Sequence, residues 1–172
     1  MPREIRSRQC FLAAQSLAVV RQSWRCAGGA GQFAGRADLL SSEPCHQERL
    51  ATSDPGNAGW QSDLSASYTN VGDVQVAQGN LPAALTSYQA GLAIRERLAK
   101  SDPGNAGWQH NLSVSYKKVG DTYGKAGQLT KAREAFAAGR AIIAQLVAQH
   151  PDWVEWKKDL AWFDQQIDAH EK

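Results

Sequence analysis

Four histidines, three cysteines and scattered carboxylates are the side chains of this 172-residue chain that could do chemistry, and their spacing limits what chemistry is open. Cys45 and His46 are sequence neighbours. Adjacent side chains on a helix diverge, so they do not make a thiolate–imidazole nucleophile pair. His110, His150 and His170 share no metal-ligand spacing, and the chain contains neither C-x-x-C nor H-x-x-x-H. The glycine-rich run GGAGQFAG at 28–35 lacks the Lys-Ser/Thr that must follow a phosphate-cradling loop. Asp159 can be paired on paper with Asp164 or Glu155 as acid and base. Carboxylates on a solvated helix face are the simpler account of all three. The sequence therefore predicts a non-catalytic protein that holds no cofactor and no metal.

Charge and cysteine usage narrow the class further. A formal charge of +2 over 172 residues favours neither nucleic acid nor a membrane as partner of the whole molecule. The imbalance is local: Arg3, Arg6, Arg8, Arg21, Arg25 and Arg36 face Glu4 alone in the first 37 residues. Cys10, Cys26 and Cys45 also lie before the repeats, an odd count at irregular spacing that fits a reducing, cytoplasmic setting better than a disulfide framework. The longest apolar run, 11–20, is too short to span a bilayer. With arginines before it and AGGAG after it, it also bears a faint likeness to a secretion signal.

What must position any functional residue here is a repeat. SDPGNAGWQ occurs at 53–61 and again at 101–109. Trp60, Trp108 and Trp156 stand 48 residues apart, as do Leu64, Leu112 and Leu160. Roughly half the positions of 50–97 recur identically in 98–145. A period in this range is the mark of stacked structural units.

Within each unit the apolar residues recur every three or four positions, the helical period. Asp54-Pro55-Gly56 is a turn and Asn57 an N-cap, opening a helix that Gly79-Asn80 stops. Pro82 starts the next helix, which runs to Lys100. The second unit repeats this from Asn105 to about 126 and from Thr130 to about 149, with Arg133 and Arg140 replacing Leu85 and Leu92. Asp152 and Glu155, three apart, predict a reciprocal cap for a closing helix over 152–171. Residues 1–46 form an atypical N-terminal segment, either unfolded or a makeshift helical cap, with Ala13, Leu17, Val20 and Trp24 at helical spacing. The repeat domain is 47–172, made of hairpins 57–101 and 105–149 and the closing helix.

Val71-Gly72, Gly79, Leu81, Ala84, Tyr88 and Gly91-Leu92 match the relative places of the tetratricopeptide consensus. Val119-Gly120, Tyr123, Gly127, Leu129, Ala132, Phe136 and Gly139 repeat them. The chain from about 48 to 170 resembles that family, as a long-armed variant whose period is 48 residues where the family's is about 34. The resemblance implies an all-α, right-handed superhelical solenoid of antiparallel hairpins, about two and a half repeats long. Trp60, Leu64, Tyr68, Gly72, Ala84, Tyr88, Trp108, Leu112, Tyr116, Gly120, Ala132, Phe136, Trp156 and Leu160 are then packing residues. Truncating a buried Trp among them would cost about 3–5 kcal/mol.

The resemblance also implies that the first helix of each hairpin lines a concave face. The partner-binding groove then falls on Thr69, Asp73, Val76, Lys117, Asp121, Trp162 and Gln165, with Ala66, Val114 and Gly124 between them. Asp73 and Asp121 stand where the family's dicarboxylate clamp has Asn, so an acidic C-terminus is disfavoured as ligand. The expected function is an interaction scaffold for a protein or peptide, self-associating through its exposed ends, with neither membrane nor nucleic acid as partner. The alternatives are a basic N-terminus that binds nucleic acid or an anionic surface, and a truncated remnant of a larger bacterial signalling or effector protein.

Overall fold

The computed structural model describes residues 47–170. The expectations for residues 1–46, including the helix through Trp24 and the Cys45-His46 pair, lie outside the described residues. So does the last position of the expected closing helix, 171.

The described residues are all-α. Six helices follow one another: α1 (47–53), α2 (Ala58–Ala77), α3 (Leu81–Ser101), α4 (Ala106–Lys125), α5 (Leu129–Gln149) and α6 (Val154–Ala169). From α2 on, they pack antiparallel in sequence, each against the helix before and the helix after it. None is long and apolar enough to cross a membrane.

The turn chemistry explains the boundaries. Asp54 accepts from the Gly56 N–H at 3.1 Å, and Asn57 then caps α2 by accepting from the Trp60 N–H at 3.1 Å. Asp102 and Asn105 do the same for Gly104 and Trp108, at 3.2 and 3.1 Å. Helices α2 and α4 end on Gly79 and Gly127, whose φ of 76° and 72° only glycine adopts without strain. The next N–H turns back to a carbonyl five residues earlier, Asn80 to Gln75 at 2.8 Å and Gln128 to Tyr123 at 2.9 Å, and so closes each helix end.

The closing helix departs from expectation. It starts at Val154, and its N-cap is Trp153, which supplies no side-chain cap bond. Asp152 lies in the preceding turn, and Glu155 pairs instead with Lys158 at 2.8 Å. The reciprocal Asp152–Glu155 cap does not form. The repeat sets the register: Trp153 occupies the place of Asn57 and Asn105, 96 and 48 residues on.

Glycines bring the paired helices together. A Cβ on Gly72 would come within 2.5 Å of the Tyr88 ring, and one on Gly120 within 2.4 Å of the Phe136 ring. Around these contacts sit two core clusters, one of Ala84, Tyr88, Val119 and Ala135, the other of Ala132, Phe136, Ile143, Leu146, Trp156 and Phe163. The tryptophan ladder is graded: Trp156 is buried, whereas Trp60 and Trp108 are half-buried. Leu64 and Leu112 are buried and Leu160 half-buried; Tyr68 is buried and Tyr116 half-buried, its hydroxyl donating to Glu96 at 2.7 Å.

The seams between successive units differ in kind. Arg95 on α3 donates to Ser65 Oγ of α2 at 3.1 Å and, across to α4, to the Asn111 carbonyl at 3.1 Å and Ser115 Oγ at 2.7 Å. All three acceptors are neutral, and burial pulls the guanidinium pKa down. Between α5 and α6 the same places hold Ile143, 0% exposed, and Phe163, 2% exposed. At this pair of places the first seam is polar and the second is oily.

Candidate interaction groove

Helices α4 and α6, the first helices of the second and third units, flank a cavity of about 390 Å³. Ser113, Val114, Lys117, Lys118 and Asp121 reach it from α4, and Asp159 and Phe163 from α6. His110 and Asp159 meet across it, Nε2 to Oδ2 at 3.1 Å. The opening continues past this pair into a second cavity of about 560 Å³, near the starts of the two helices.

Two aspartates at equivalent places are treated differently. Asp73 Oδ1 accepts from the Tyr88 hydroxyl at 2.5 Å and from Lys118 Nζ at 2.6 Å. Burial first, and then the bond to Asp73, push the Tyr88 hydroxyl well above the ordinary phenol range. Asp121 has Phe136 where Asp73 has Tyr88, so no hydroxyl comes to it. Desolvation raises its pKa, against the pull of Lys117, Lys125, Lys118 and His170. It is a half-buried acceptor at the cavity wall, with no fixed donor among the described residues.

Of the residues expected in the groove, Lys117 and Asp121 line this cavity. Lys117 Nζ sits 3.8 Å from the centre of the Trp162 ring, a cation–π contact. Trp162 is half-buried and edge-on to Phe136 and Phe163, at 5.5 and 5.2 Å. It thus joins the cavity wall to the core. Asp73 is tied to α4 through Lys118. Thr69, whose hydroxyl turns back to the Ser65 carbonyl at 3.0 Å, does not reach either cavity, nor does Gln165, which is exposed. Val76 packs against the core cluster around Tyr88.

Helical spacing along single helices did not reveal His110, His150, Trp153 and Asp159, which all line the cavity between the helix starts. Trp153 lies on Trp156, centroids 4.3 Å apart and planes 28° apart, while His150 meets Trp156 edge-on at 5.4 Å. One signal was available: Trp153 and Asp159 replace Asn105 and Asn111 of the previous unit. Among the described residues no three His, Cys, Asp or Glu side chains converge to hold a metal ion. No model of a known protein family matches the chain, and no curated protein matches it either.

Proposed function

We propose that residues 47–172 form a tetratricopeptide-like, right-handed superhelical stack. In this reading it is a non-catalytic interaction module that takes a peptide or partner helix in the groove between its first helices. The observation that carries this is the cavity between α4 and α6, where Lys117 and Asp121 share one wall with the apolar surface of Val114 and Phe163. The helices that frame it are set by glycine–aromatic contacts and closed turns, so a ligand meets a preformed wall and binding costs little ordering of the scaffold. Asp121 lies among Lys117, Lys118 and Lys125, and Lys118 is paired with Asp73, which favours a ligand of mixed polarity over a strongly charged one.

The test is affinity capture from native lysate with the full chain, run beside Lys117→Glu, Asp121→Asn and the exposed control Gln145→Glu. A partner retained by the wild type and the control but lost by both groove variants supports the reading. Partners that are indifferent to all three substitutions remove it.

A further inference from the structure

The start of α6 departs from its own repeat in a way that folding does not reward. Asn57-Ala58 and Asn105-Ala106 open the first two units, and Asn caps the helix in both. The third unit has Trp153-Val154, which surrenders the cap and leaves the two side chains 56% and 60% exposed. They supply two of the three large exposed hydrophobic residues among those described. Trp153 lines the cavity of about 560 Å³ together with His110, His150, Trp156, Glu155 and Asp159.

Trp156 stacks on the Trp153 indole, and the Trp153 side chain stays 56% exposed. The carboxylates in the lining come from Glu155 and Asp159, and neither lysine nor arginine lines the cavity. Lys158 bonds Glu155 from outside it, and His110 Nε2 meets Asp159 Oδ2 at 3.1 Å. Asp159 replaces Asn111, so the third unit gains a negative charge where the second has an amide. An exposed indole beside two carboxylates matches a guanidinium or ammonium group, by cation–π attraction and by charge.

From this the geometry points to a binding site for an arginine or lysine side chain of a partner protein, held between the exposed indole of Trp153 and the carboxylates of Asp159 and Glu155. The inference rests on reading the chain as an interaction module, but it concerns the mouth of the groove and not its floor. A basic occupant also sets it apart from a nucleic-acid site, which the carboxylates would repel.

The experiment uses the full chain and a fluorescein-labelled hexa-arginine peptide followed by fluorescence anisotropy, with hexaglutamate as the opposite-charge probe. Two variants restore the residues of the second unit, Trp153→Asn and Asp159→Asn. Trp153→Asn is expected to weaken hexa-arginine binding at least tenfold while the melting temperature holds or rises, because the helix regains its cap. Asp159→Asn is expected to weaken it at least threefold and to flatten its salt dependence. Titrations unchanged in Trp153→Asn, no binding of hexa-arginine by the wild type, or equal binding of hexaglutamate each overturn the site. Loss of the captured groove partner in Lys117→Glu with hexa-arginine binding intact leaves the groove reading standing separately from this one.

Discussion

Phe136 lies on Gly120 so closely that a Cβ at position 120 would stand 2.4 Å from ring atom Cε1. The ring is 1% exposed and is hemmed in by Trp162 and Phe163, so it has no room to retreat. Tyr88 and Gly72 make the same contact one unit earlier. This pairing, more than any charge, fixes the separation of the two helices in each hairpin.

Gly120→Ala is therefore expected to lower stability by about 1–3 kcal/mol, although alanine is the better helix former. Chemical denaturation followed by circular dichroism measures it. Combining Gly120→Ala with Phe136→Leu should cost less than the sum of the two single changes, since the smaller side chain removes the clash.

The graded burial of the tryptophans predicts a graded cost. Trp156→Ala should destabilise by about 3–5 kcal/mol, as for a buried aromatic. Trp60→Ala and Trp108→Ala, at half-buried places, should each cost clearly less. Equal losses in thermal melts of the three variants would contradict this ordering.

Asp121 links stability to pH. Its pKa is raised in the folded chain, so the folded state binds the proton more readily than the unfolded state. Stability contributed at this site accordingly falls as pH rises from the unfolded carboxylate value through the folded one. Asp121→Asn should be more stable than wild type at neutral pH, and the gain should vanish on acidification through the carboxylate range. Phe136→Tyr should also help, by about 1 kcal/mol, because its hydroxyl is placed to reach Asp121 as that of Tyr88 reaches Asp73. Urea titrations at several pH values read out both.

The polar seam offers a cycle of substitutions. Arg95→Ala should cost about 2 kcal/mol through the loss of its hydrogen bonds to Ser65, Asn111 and Ser115. Arg95→Ile with Ser115→Phe copies Ile143 and Phe163 of the oily seam and should be at least as stable as wild type. A double variant weaker than either single change would show that the two seams are not built on one geometry.

Much of this was legible in the sequence because the period is strong. Asn57 and Asn105 as caps, the stops at Gly79 and Gly127 and the buried Leu64, Leu112, Ala84 and Ala132 all follow from local rules repeated twice. The start of α6 was misread where two rules competed. Asp152 and Glu155 match a local capping pattern, yet the 48-residue register puts Trp153 at the cap. The His110–Asp159 contact joins residues 49 apart on different helices, and spacing along one helix carries no information about it. Val76 was placed in the groove by family position, whereas the surface it meets is the core around Tyr88. Asp121 was visible as an acid; what its Phe136 neighbour withholds became apparent only once the Tyr88 hydroxyl was found on Asp73.

The contrast between the Arg95 and Ile143 joints gives the chain a grammar. Although the units look like copies, their edges are not interchangeable. Transposing α4 and α6 would set Phe163 against a guanidinium and leave Ser115 facing Ile143. A gene reassembled from the same parts in another order would encode surfaces that refuse one another, so the order of the modules is enforced by their edges as well as by the strand that links them.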